Sequence, residues 1–94
     1  MRVNGRERLD VFVSRHAQAR GPIQAWLREV EHAKWQGPQD VKNRYPSASI
    51  LPDNRIVFNL GGNKFRLLVM VVYVNGVVLV KQVGTHAEYD KWKL

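Results

Sequence analysis

From Arg55 onward the sequence gives up helical spacing and reads RIVFNL (55–60), KFRLLVMVVY (64–73) and VVLVKQVG (77–84). Runs this rich in β-branched and aromatic residues are strands. The links between them, LGGN and VNGV, are tight-turn signals, and Asn75-Gly76 suits a type I′ hairpin. Three strands joined by short turns form an antiparallel meander, and an apolar face on such a sheet has to be covered by other elements.

The preceding residues supply the cover. MRVN can form one short strand before Gly5 lets the chain bend. Leu9, Phe12, Val13 and His16 then fall at i, i+3, i+4 and i+7, the stripe of an amphipathic helix. RGP at 20–22 breaks that helix and sets Pro22 in the first turn of the next, whose stripe is Ile23, Trp26, Leu27 and Val30. This second helix is expected to end around Lys34–Gln36, with a short third piece over PQDVKNRY. PSASILPDN, with two prolines and an Asp-Asn turn, reads as loop. The 94 residues thus make a single α+β domain, 1–94: short strand, two to three helices, meander, brief C-terminal helix.

Two-residue hairpin loops predict a register. Val71 would oppose Val80, Met70 Lys81, Leu68 Val83 and Arg66 Thr85, while Leu60 would oppose Asn63, Asn59 Lys64, Phe58 Phe65 and Val57 Arg66. One face then carries Ile56, Phe58, Leu60, Phe65, Leu67, Val69, Val71, Tyr73, Val78 and Val80, an apolar set for the helices to cover. The other mixes Val57, Leu68, Met70, Val72, Leu79 and Val83 with Arg55, Asn59, Lys64, Arg66, Lys81 and Thr85. Arg66 and Thr85 become neighbours there, beside the motif THAEYD. Read blandly, this is a solvated rim with ion pairs such as Arg66 with Asp90.

Charge gives that rim a second reading. Fifteen Lys and Arg against eight Asp and Glu leave a net charge of +7, a field attractive to phosphate polymers or to an acidic protein partner. No cysteine is present, which excludes disulfides and thiolate metal sites. No apolar run approaches the length of a membrane span. The first residues carry charges where a secretion signal would need apolar ones, so a cytoplasmic protein is expected.

Thr85-x-x-Glu88 is a capping box, which accounts for both residues without chemistry. His86, Tyr89 and Asp90 remain, spaced i, i+3 and i+4 on one helix face. With Arg66 to bind phosphate oxygens, they suit RNA cleavage without a metal: the 2′-hydroxyl attacks the adjacent phosphorus while side chains move the protons. The three histidines show no metal-ligand spacing, and no cofactor is implied. His16 reads as a core residue and His32 as an exposed one. Trp35, Tyr45 and Trp92 could stack a base, although core or rim packing is the better account of each.

YPSASILPDNRIVFNLGGNKFRLLV followed by GTHAEYDK resembles the HigB toxins of bacterial toxin–antitoxin pairs, within the RelE-like superfamily. The resemblance runs from the N-terminal strand to the last helix. It implies a four-stranded antiparallel sheet with helices on one face. It also implies an mRNA interferase: an endoribonuclease acting on ribosome-associated message, held inactive by a helix-turn-helix antitoxin and contacting DNA only through that complex. The matching positions are Asn59, Asn63, Lys64, Arg66, His86, Tyr89 and Asp90. Arg66 would take the phosphate, His86 and Tyr89 the protons, and Asp90 an orienting role. Arg55, Asn59, Asn63, Lys64 and Lys81 would hold the RNA. Two other readings stay open: a non-catalytic RNA- or ribosome-binding module, and an antitoxin surface over Val57, Leu68, Met70 and Val72.

Overall fold

Both expected helical stripes become the inner faces of helices. The computed structural model describes residues 1–94. Their order is β1 (Arg2–Asn4), α1 (Arg6–Arg15), α2 (Arg20–His32), α3 (Pro38–Arg44), β2 (Ser49–Leu51), β3 (Arg55–Leu60), β4 (Phe65–Val72), β5 (Val77–Thr85) and α4 (His86–Tyr89). Leu9 and Phe12 of α1 and Ile23, Trp26 and Val30 of α2 are buried. A 3-10 turn over Ala17–Ala19 separates these helices, so Arg20-Gly21-Pro22 is the first turn of α2 and the break comes earlier, at His16. The second helix also stops at His32, short of the expected end. Trp35 then drops into the core against both Tyr45 and Phe58, which also meet each other.

The sheet has five strands in the order β1-β5-β4-β3-β2, with β1 parallel to β5 and the other pairs antiparallel. This corrects the expected four-stranded antiparallel sheet. The extra strand lies in the supposed loop: Asp53 and Asn54 both take positive φ, 65° and 60°, the left-handed pair that lets a chain double back tightly. Ser49–Leu51 therefore returns along β3.

Both hairpin loops are longer than two residues. Leu60 faces Phe65 across Gly61–Lys64, and Val72 faces Val77 across Tyr73–Gly76. A type I′ turn needs two positive φ angles, and in the second loop only Gly76 has one, at 65°. Asn59 faces Arg66 rather than Lys64; Phe58 faces Leu67, Val57 faces Leu68, and Val78 faces Val71. A two-residue displacement preserves the sheet face of every side chain, so the apolar set still meets the helices. Ile56, Phe58, Leu67, Val69, Val71 and Val78 are almost wholly buried there, with Trp26 edge-on to Phe58 at 5.4 Å.

A second departure does change faces. Val69 pairs with Val80 but Leu68 with Gln82, leaving Lys81 as the extra residue of a β-bulge. Beyond it the alternation inverts. Val83 faces Leu67 and packs half-buried on the core, Gly84 faces Arg66, and Thr85 faces Phe65. The expected pairs Met70–Lys81, Leu68–Val83 and Arg66–Thr85 are thus replaced by Met70–Leu79, Leu68–Gln82 and Arg66–Gly84.

On the far face Val57 and Leu68 are buried outside the helix-side core. The C-terminal residues run along this side: Trp92 lies against Gly84, and the Leu94 carbonyl accepts a hydrogen bond from Arg55 Nη1 at 3.2 Å.

Candidate active site

Arg66 is the one charged residue in the buried set, 8% exposed. A guanidinium out of water needs compensation. Its Nη1 donates to the Asn63 carbonyl at 2.7 Å, and its central carbon lies 5.2 Å from the Tyr89 ring centroid, a cation–π contact. Nε and Nη2 have no acceptor within the chain. The planar fork is therefore held at one corner and under one ring, with donors left over for an anion.

Tyr89 is brought there by α4. Thr85 Oγ1 accepts from the Glu88 N–H at 3.2 Å, and Glu88 Oε1 accepts from the Thr85 N–H at 2.8 Å, a complete capping box. The bond from the Thr85 backbone holds the Glu88 carboxyl below its ordinary range, more than burial raises it. The His86 N–H donates to the Lys64 carbonyl at 2.9 Å, tying the helix start to the turn that leads into β4. Trp92 meets Tyr89 edge-on at 5.4 Å. Gly84 makes this closure sterically feasible, since a Cβ there would lie 2.9 Å from Trp92 Cζ2 and 3.2 Å from Glu88 Cβ. His86 Nε2 and Asp90 Oδ2 are 3.8 Å apart, both side chains more than half exposed.

Arg66 and Tyr89 thus meet where β4, β5 and α4 come together, the backbones of Lys64 and His86 are bonded beside them, His86 and Asp90 pair on α4, Asn59 lies opposite Arg66, and Asn63 is on the adjoining turn. Asn59 Nδ2 donates to the Ser47 carbonyl at 3.0 Å and pins the neighbouring loop. Arg66 pairs with no carboxylate, so the ion pair with Asp90 that a merely solvated rim would offer does not form. Arg55 lies at the other end of β3, held by the Pro52 and Leu94 carbonyls. Lys81 also lies apart, because the bulge turns it into a cleft beside α1. Trp35 belongs to the core and Tyr45 packs on it, burial and Glu29 raising its phenol well above the ordinary range. His32 is exposed, as expected, whereas His16 is half-buried and stacked on Phe12 at 4.4 Å rather than enclosed. Gly84 and its partner Trp92 are further members of the site that motif spacing does not reveal. The signal was there in a glycine inside a strand, which marks a close approach. No group of three or more His, Asp or Glu side chains is disposed to hold a metal ion.

Residues 19–92 match a family model described as HigB_toxin, RelE-like toxic component of a toxin–antitoxin system. The chain belongs to the HigB toxin family. Among similar proteins, the mRNA interferase toxin HigB of Escherichia coli strain K12 is 36% identical over 55 residues, 56% of this chain and 53% of that relative. An mRNA interferase HigB of Shigella flexneri aligns with the same figures. That of Escherichia coli O6:H1 is 27% identical over 71 residues, 73% of this chain and 69% of the relative. The aligned chain spans about half the length of the first of these relatives. The HigB-matched span contains the whole Arg66–Tyr89 arrangement and leaves β1 and α1 outside it.

Proposed function

We propose that this HigB-family chain is a metal-independent endoribonuclease that cleaves mRNA, acting on ribosome-associated message in the cytoplasm. A helix-turn-helix antitoxin would hold it inactive. The observation that carries the reading is Arg66, buried beneath Tyr89 with Nε and Nη2 lacking acceptors in the chain. A guanidinium fixed on a mostly buried side chain, with Nε and Nη2 still open to solvent, suits a phosphate oxyanion. The attacking 2′-hydroxyl loses its proton to one side chain and forms a bond to phosphorus. Arg66 stabilises the charged phosphorane, and the P–O5′ bond breaks as a second side chain protonates the leaving oxygen. The products are a 2′,3′-cyclic phosphate and a 5′-hydroxyl. His86 and Tyr89 share the proton transfers, each worth roughly 10²–10⁴ in rate, and Asp90 orients His86. Lys64, Asn59 and Asn63 line the approach; Arg55 and Lys81 bind RNA further out. No helix is long and apolar enough to cross a membrane.

The test is induction in a bacterial host, with mapping of message ends. Arg66→Ala and His86→Ala should relieve growth arrest and leave transcripts intact, and purified protein should cleave in the presence of chelator. Full arrest by both variants would remove the site from the reaction. The solvated His86–Asp90 pair also fits a site that only binds RNA; arrest with uncut transcripts would select that reading.

A further inference from the structure

β1 pairs with β5 only as far as Leu79, so from Val80 to Thr85 one flank of β5 has no strand beside it. α1 lies along that flank. Gly5, at φ 89°, brings the chain so close that a Cβ would sit 2.9 Å from the Val80 carbonyl oxygen. Between α1 and the open edge is a cleft of about 390 Å³. Arg8, Val11 and Arg15 line it from the helix, His16 from the helix end, Lys81 from the bulge and Glu88 from α4.

Charge and aromatic character occur together here. Arg8 and Arg15 are seven residues apart on one stripe, about 10 Å along the axis. Between them sits Val11, 55% exposed. His16 stacks on Phe12, making a supported aromatic platform at the cleft. Arg8, Arg15 and Lys81 have no carboxylate partner, while the Glu88 carboxylate is engaged by the Thr85 backbone. Glu7 also lines the cleft, leaving a cationic surplus. Cations beside an apolar and aromatic floor are the recurring means of holding a single strand: phosphates on the charges, a base on the platform. A bulge that re-aims a lysine is common beside binding sites.

We propose that the α1–β5 cleft is a second subsite for single-stranded RNA, reached around the open edge of β5 by the strand whose scissile linkage lies at Arg66. α4 stands between the two, presenting Tyr89 to Arg66 and Glu88 to the cleft. Along β5, Lys81 and Gly84 are about 10 Å apart. The proposal rests on the ribonuclease reading and adds a substrate contact whose α1 wall lies outside the matched family span.

Fluorescence anisotropy with 2′-O-methyl oligouridylates of three and nine nucleotides tests it, because neither can be cleaved. The nonamer should bind the parent more tightly than the trimer. In Arg8→Ala/Arg15→Ala/Lys81→Ala that gain should largely vanish, and the log–log salt slope of the nonamer should flatten by about 2, at roughly 0.7 per lost phosphate contact. The charge-preserving Arg8→Lys/Arg15→Lys/Lys81→Arg should keep most of the slope. Equal affinity for the two lengths in the parent, or a gain that survives the triple alanine variant, overturns the subsite. So does tighter binding of a nonaglutamate peptide that the triple variant abolishes, which would assign the cleft to an acidic protein segment. Cleavage of message by the parent, scored separately, decides the ribonuclease reading: intact transcripts alongside a retained length gain would remove the catalysis and leave the cleft as an RNA contact.

Discussion

The two halves of β5 behave as different materials. Val77–Val80 is paired with β4 and, through Leu79, with β1, and Val77, Val78 and Val80 are buried. From Lys81 the strand has β4 alone, exposes Lys81 and Gln82, and ends against the residues proposed for chemistry. Doubly paired, buried strand carries global stability, while singly paired strand next to a one-turn helix is where local opening is cheapest. The difference teaches that the fold anchors the site through one end of a strand and leaves the other end adaptable.

Substitutions can break or sharpen that contrast. Val78→Asp would place a carboxylate in the core and should cost roughly 3–5 kcal/mol, the scale of an uncompensated buried charge, whereas Gln82→Asp should change stability by about 0.5 kcal/mol or less. Urea unfolding measures both, and similar losses would erase the distinction. Gly84→Ala should cost about 1–3 kcal/mol through overpacking against Trp92 and Glu88. It should also lower cleavage, because α4 can no longer hold Tyr89 over Arg66; Trp92→Phe in the same chain should restore part of both. Thr85→Ala should cost about 1 kcal/mol, confined to α4 and visible as lost amide protection there. The smallest effect is in acid. Glu88 is depressed below the ordinary 4.5, so its capping contribution is complete above that pH and is lost as pH falls through the lower folded value. Amide shifts of Thr85 and Ala87 should report that loss only below pH 4.5, and Glu88→Gln should remove the transition.

Strand and helix identity was legible because apolar spacing directly reflects burial. The sheet faces of β3, β4 and the first half of β5 were legible too, since the misjudged loop lengths displaced those registers by two residues and kept parity; past the bulge the shift is one residue, and Val83 lies on the face opposite to the one expected. Loop conformation itself depends on where φ turns positive, as at Asn63 and Gly76, which residue type suggests but does not decide. The bulge had a trace: Val80 and Val83 both reach the helix side, an odd separation that regular alternation forbids. β2 was hidden because Ser49–Leu51 is short and lies between prolines. At the site, the capping box could be read from spacing alone. The covering of Arg66 could not, since it depends on α4 laying the Tyr89 ring over a residue of β4.

The bulge at Lys81 has one more effect. An unpaired strand edge can template sheet extension by another molecule, and nature blunts such edges with kinks, lysines and neighbouring helices. The open flank of β5 has all three, in the bulge, the Lys81 ammonium and α1. The irregularity that spoiled the predicted pairing therefore also guards the chain against stacking edge to edge with its own copies.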